Sequence, residues 1–354
     1  MRARRWLPAA LSLLLLAVPL WAQTESEDAE EWRRPLGPLV AHNLHPLYAA
    51  SVHLLPRPAE TVGANGIAVF LHQSYGNTFI YDPEDPEAPE DKDAFVILDS
   101  EAFYATMGLT WGIHPRAEVN ASITLVTHFP GLFDPALEAY HTLFGFPNAG
   151  RELQPQNQAR YYFENADGIV IDEQGPVIDI TSLVLEPRVE LYASEDERFL
   201  LTAGAAVKLP LSAPSIVLTN SGTDVALRAF ADYYWPTAVV TASVGAAFLA
   251  QPNYMLEESF RPWVLPFSAS FEWMATDVFS IITTISGNTS PFKLGYERTD
   301  RFTAVANMGG AFALSEQLTL LAGLTEEFFT FAATDVGVHL SLRYRFDEQW
   351  EPRQ

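Results

Sequence analysis

The two-residue periodicity of its apolar side chains constrains this chain more than any other feature. In the last segment Val336, Val338, Leu340, Leu342, Tyr344 and Phe346 fall on one face, with Gly337, His339, Ser341, Arg343 and Arg345 on the other. Phe103, Ala105, Met107, Leu109, Trp111 and Ile113 oppose Tyr104, Thr106, Gly108, Thr110 and Gly112. Leu183, Leu185, Val189 and Leu191 oppose Glu186, Arg188 and Glu190, and the pattern recurs over Val119–Phe129, Val225–Tyr233, Phe267–Trp273 and Phe302–Leu314. Successive strand side chains point to opposite faces, so each segment has one apolar and one polar or small face. Such strands suit a soluble sandwich with one wet face, or a barrel with lipid outside and water inside.

Connection lengths decide between the two. Very short turns occur at 114–116, 194–197, 235–237, 275–277 and 315–317. They alternate with longer links at 80–93, 129–176, 210–222, 250–261 and 287–299, and a shorter last one near Ala332-Ala333. Tight turns on one side and longer loops on the other mark an all-β, transmembrane, antiparallel up-and-down β-barrel of about twelve strands over residues 65–346. The even count leaves both termini on the periplasmic side. Trp111, Tyr233, Trp235 and Trp273 lie close to the short turns and Phe346 falls at the same level, which predicts an aromatic girdle at one membrane boundary. Pro187 and Pro266 lack a ladder donor and predict irregular strands, with a bulge at Pro187.

The first residues read as a secretion address. Arg2, Arg4 and Arg5 precede an apolar run from Leu7 to Leu20, and Leu20-Trp21-Ala22 ends a signal peptide over 1–22. The run is shorter than the ~20 residues of a spanning helix. With no cysteine in the chain there is neither a lipoprotein anchor nor a disulfide framework. The expected location is a bacterial outer membrane. The formal net charge of −23 becomes more negative still when the three signal arginines leave, which excludes nucleic acid as a partner. The last strand, ending at Phe346 before a tail over 347–354, resembles the terminal signal read by the outer-membrane assembly machinery. That machinery, outer-membrane lipid and lipopolysaccharide are the expected partners.

Three parts are not wall. Residues 23–64 form an N-terminal periplasmic or lumenal segment; its acidic start is expected to be mobile, and the apolar stretch Gly37–Leu55 reads as an inner plug or an unpaired thirteenth strand. Asp82–Asp93 is a Pro- and acid-rich loop, offering carboxylates to a divalent cation or, more commonly for such runs, simply solvated. In the insertion 129–176, Asp134 as cap and Pro135 at the first helical position start a helix. Leu137, Tyr140 and Phe144 recur on it at helical spacing beside His141, and 147–150 end it. That helix either plugs the barrel mouth or packs on its rim. Tyr161–Phe163 and Ile169–Ile171 read as a small hairpin beyond the membrane.

Two stretches carry a family resemblance. Gly37-Pro38-Leu39, Asn43 and Pro46-Leu47, together with Gly131-Leu132-Phe133-Asp134, His141, Leu143-Phe144-Gly145 and 147–151, resemble the bacterial family known as domain of unknown function 3187. The resemblance implies an outer-membrane protein and transfers no residue role.

The alternation turns Glu186, Arg188, Glu190, Lys208, Arg228, Asp232, Glu272, Asn307, Arg343 and Arg345 inward, since a charge facing lipid at the midplane costs about 2–4 kcal/mol. Charges of both signs inside a barrel suit a channel or transporter for small solutes. The alternative is a structural barrel whose lumen these residues fill. A lesser alternative is a lipid hydrolase: His72 and Ser74 put a base and a hydroxyl on one strand face, though on the lumenal side and without an identifiable third residue. The histidines at 42, 45, 53, 114, 128, 141 and 339 show no metal-ligand spacing, and no cofactor is expected.

Overall fold

The structure is a computed structural model describing residues 32–49, 51–81, 95–145, 151, 154–165, 168–211, 222–252, 257–295, 297–327, 334 and 336–346. The expected signal peptide, the acidic loop 82–93 and the tail 347–354 lie outside the described residues. Fifteen strands follow one another: β1 Ile67–Tyr81, β2 Phe95–His114, β3 Ala117–Phe129, β4 Arg160–Asn165, β5 Gly168–Gln174, β6 Val177–Ala193, β7 Phe199–Pro210, β8 Asp224–Trp235, β9 Ala238–Phe248, β10 Trp263–Val264, β11 Pro266–Thr276, β12 Phe279–Asn288, β13 Thr303–Ala313, β14 Leu318–Glu326 and β15 Val336–Arg345. Twelve of them close an antiparallel barrel, because β1 pairs with β2 on one side and with β15 on the other. The barrel and the strand number expected from the alternation are therefore what the chain forms.

The period of two is visible in burial. Along β8 residues alternate between buried and exposed, with Leu227 69 % exposed and its neighbour Arg228 6 %. Exposed Met107, Leu109, Ile123, Leu191, Val244, Met308, Leu324 and Val338 continue the apolar outer band. Trp111, Tyr233, Trp235, Trp273 and Phe346 are exposed on the same outer surface, near the short-turn end.

Irregularities have local causes. Thr181 is an extra residue between Thr124↔Ser182 and Leu125↔Ile180, and Leu191 is one between Glu190↔Thr202 and Tyr192↔Leu201, so β6 bulges at both places. At Pro187 the ladder with β7 passes from Leu185↔Val207 to Arg188↔Gly204 in unchanged register. The expected bulge at Pro187 is thus a gap in the ladder, left where the missing N–H would pair. Pro266 opens β11, where a missing donor matters least.

At the long-loop end, helix α1 spans Asp134–Phe144 and the β4–β5 hairpin extends β2 beyond the barrel. Asp134 does not cap α1: the cap is Phe133, with no side-chain bond. Its carboxylate instead accepts from Arg151 Nη1 (2.9 Å), Asn77 Nδ2 (3.4 Å) and the Asn157 N–H (2.7 Å), tying the insertion to the rim. The helix ends earlier than 147–150, at Gly145, whose φ of 74° is the left-handed conformation a C-terminal glycine supplies.

Candidate lumenal site

Residues 32–64 contain five prolines, at 35, 38, 46, 56 and 58. Proline breaks both helix and ladder, so the backbone of this segment must find its hydrogen bonds elsewhere. The inward side chains of the wall provide them, and the segment runs through the lumen twice.

The ascending leg starts at the short-turn end, where Arg33 Nη1 donates to the carbonyls of Met274 and Ala275 (2.7 and 2.8 Å). The N–H groups of Leu36 and Gly37 donate to the two oxygens of Glu272 (2.7 Å each), and Arg343 Nη1 donates to the Gly37 carbonyl (3.0 Å). Gly37 suits this close approach: a Cβ would lie 2.7 Å from Glu272 Oε2, and the carboxylate would have to shift. Higher up, the Leu44 N–H donates to Thr334 Oγ1 (2.7 Å). A 3₁₀ turn over Pro46–Tyr48 then reverses the chain, with the Tyr48 ring 5.2 Å from that of Phe292. Phe292 belongs to the loop after β12, where Asp300 accepts the Leu294 N–H (2.8 Å) while burial raises its carboxyl above the ordinary range.

The descending leg returns to the short-turn end. Arg228 Nη2 donates to the Leu55 carbonyl (3.0 Å), Arg188 Nη1 to that of Pro58 (2.6 Å), and Thr202 Oγ1 to that of Ala59 (2.6 Å). Asp232 Oδ2 accepts the Ala59 N–H (2.8 Å), and Glu118 Oε2 accepts that of Val62 (2.8 Å). The Asn65 N–H reaches the Gly112 carbonyl (2.8 Å) just before β1 begins.

A buried ionic network ties this leg to the wall. Arg57 meets Glu118 (2.9 Å) and Glu186 (3.2 Å), Arg188 meets Glu118 (2.5 Å), and Arg228 meets Glu186 (3.0 Å). The Phe230 ring lies under both Arg188 and Arg228, 4.9 and 4.5 Å from their guanidinium carbons, within cation–π range. Lys208 pairs with Asp224 (2.8 Å) farther up, and Asn307 accepts from Thr325 Oγ1 (2.6 Å). Glu190 stands apart near the short turns, 3.6 Å from Arg116.

Two cavities lie beside this segment among the described residues. The lower, of about 180 Å³, is lined by Arg34, Arg57, Arg188, Arg228, Arg343 and Arg345 with Glu60, Glu118, Glu186, Asp232 and Glu272. The upper, of about 90 Å³, lies among Tyr48, Val52, Leu249 and Asn288. His53, Leu54, Leu55 and Pro56 line both, so four residues of the descending leg stand between them.

Of the inward residues expected from the alternation, Glu186, Arg188, Arg228, Asp232, Glu272, Arg343 and Arg345 come together on the lower cavity, whereas Lys208, Asn307 and Glu190 do not. The alternation that marked Val119–Phe129 also carries Glu118 inward, a residue readable in the sequence and missed. Arg57 lies on no strand and had only its flanking prolines to signal it. The α1 residues lie at the rim: Leu137 and His141 are half-buried, the side chains of Tyr140 and Phe144 lie outside the described residues, and Leu132 and Leu143 at either end are each 77 % exposed. The lumen is occupied by residues 32–64 instead. Ser74 is buried under the ascending leg, and the imidazole on its hydroxyl is that of His42 (Nδ1–Oγ 2.9 Å), with Thr106 on the other ring nitrogen (2.7 Å). Among the described residues no group of three or more His, Asp or Glu is placed to hold a metal ion.

The fold is that of outer-membrane channels. Across 84 % of this chain and 100 % of the other, it superposes on the COG4313 outer membrane channel from Pseudomonas putida F1 with a TM-score of 0.54 and 10 % identity. The CymD monoaromatic hydrocarbon channel (TM-score 0.38, 10 % identity, 81 % of this chain and 90 % of that one) and the NanC porin (0.42, 5 %, 79 % and 100 %) are more distant. No curated protein matches the sequence. One family model, "Protein of unknown function (DUF3187)", matches residues 11–346.

Proposed function

We propose, starting from the fact that this chain belongs to the DUF3187 family, that it is an outer-membrane channel for small polar solutes held shut by its own N-terminal segment. The observation that carries the reading is the interrupted lumen: two cavities separated by His53–Pro56. A twelve-stranded barrel is intermediate in bore between eight-stranded barrels filled by side chains and sixteen-stranded open porins, and here two extended legs take up most of the width. Many of their holds are hydrogen bonds to polar wall groups, which water can replace when the legs leave. The fold shared with the Pseudomonas putida channel supports the same reading. In this assignment the signal peptide directs export, the short turns and the start of the plug face the periplasm, and the long loops with α1 face outward. The outer band meets lipid and lipopolysaccharide after assembly by the outer-membrane machinery.

A second reading, a structural barrel with a filled lumen, draws on the apolar contacts of the same segment. Leu36 and Leu39 pack with Ile282, Ala311 and Leu321, and Leu44 and Ala49 with Ala102, Tyr104 and Val126. The hydrolase reading has little support, because Ser74 is buried and its hydroxyl is engaged by His42 of the plug.

Planar bilayer recordings separate the two. The full chain should give little current, and a chain lacking 32–64 should give stepwise ionic currents. A folded barrel without 32–64 that stays silent would establish the structural reading.

A further inference from the structure

We propose that the lower cavity, between the plug and strands β1, β6, β8 and β15, is a binding site for a small carboxylate anion. This rests on the channel reading and names the class of solute the channel takes. The chain has 21 Lys and Arg against a net charge of −23, yet six of those cations line this one cavity. Five acids line it as well, Glu60 among them, which leaves an excess of one positive charge. Glu118 and Glu186 are shared among three guanidiniums, Arg57, Arg188 and Arg228. Glu272 gives both oxygens to the N–H groups of Leu36 and Gly37, and Asp232 Oδ2 accepts from Ala59, Glu60 and the Tyr234 hydroxyl.

Arg343 lines the cavity beside Arg34, Arg57, Arg345 and Glu272. Of its five N–H donors, Nη1 goes to the Gly37 carbonyl. His72 adds a second, independent feature: it is 6 % exposed, its Nδ1 has no hydrogen-bond partner, and it lines the same space. Like charges crowded at low dielectric attract a counter-anion, and a guanidinium fork matches a carboxylate with two parallel bonds. The volume of 180 Å³ is room for on the order of six waters, which suits a short mono- or dicarboxylate.

The test is calorimetric titration of the full chain in detergent with sodium acetate and sodium succinate at constant ionic strength. Sodium phosphate and sodium chloride serve as comparison anions. Saturable binding of acetate or succinate, tighter than that of phosphate or chloride, is expected. Arg343→Gln should weaken it about tenfold or more, and Arg261→Gln, in the loops outside the cavity, should leave it unchanged. Circular dichroism and heat-dependent gel mobility report whether each variant keeps its barrel; Arg345→Gln and His72→Phe carry the test if Arg343→Gln does not. Absence of saturable binding, a preference for phosphate or chloride, or affinity unchanged in the folded variants overturns the proposal. Binding without currents from the chain lacking 32–64 keeps the site and removes the channel; currents without binding do the reverse.

Discussion

Arg57 sits between Pro56 and Pro58 in a segment without regular structure, yet it joins the plug to two strands through Glu118 and Glu186. Because Glu118 also holds Arg188, its loss leaves two guanidiniums short of a partner. Glu118→Ala should cost about 3–5 kcal/mol, the usual penalty for stranding a buried ionic partner, read as a fall in the urea midpoint of the refolded barrel. An unchanged midpoint would mean that water already screens the network. Gly37→Ala is the matching steric test. Its Cβ would press on the Glu272 carboxylate and loosen two N–H bonds, so a loss of about 1–3 kcal/mol is expected from overpacking, with a rise in bilayer conductance. At this scale the sequence was half readable. Residues on strands, Glu186, Arg228 and Arg343 among them, announced their side of the wall by parity. Arg57 could not, because a chain with no repeat has no parity.

The twelve barrel strands were legible for a simple reason: lipid on one side and water on the other force an alternation that nothing else in the chain imitates. The parts off the wall were only partly so: the helix at Asp134 and the hairpin beyond the membrane were readable, the choice of plug was not. An amphipathic helix and a proline-rich segment are both plausible plugs on pattern alone, and the difference lies in backbone partners. The segment 32–64 docks largely through its own N–H and C=O groups, which every sequence possesses, so its apolar stretch suggested a plug but not which wall residues hold it. Deletion experiments resolve the two elements. Removing 132–150 should leave conductance at the level of the full chain, because α1 stands at the rim with Leu132 and Leu143 exposed; removing 32–64 should raise it. If the first deletion opens the pore instead, the helix rather than the N-terminal segment is the closure. Pro187 teaches the same lesson in miniature. Its missing donor was foreseen, but a two-residue break and a bulge look alike until the register on both sides is known.

For the whole molecule, the exposed apolar band sets the solvent. Residues such as Leu227, Val244 and Met308, each more than half exposed, would together form an apolar surface far larger than a soluble monomer tolerates. The mature chain should therefore be monodisperse in detergent and aggregate on its removal, as gel filtration would show. A monodisperse protein in plain buffer would contradict the membrane assignment.

The plug enters and leaves the lumen at the same mouth, turning back at Pro46–Tyr48, and its chain runs on directly into β1. It is a cork on a leash. Because no strand passes between its two halves, it can be drawn out through the mouth it came from with all twelve ladders intact, and slipped back without refolding the cylinder. Anything tugging from that side works along the direction of escape; anything pressing from the opposite mouth must push the bend ahead of it.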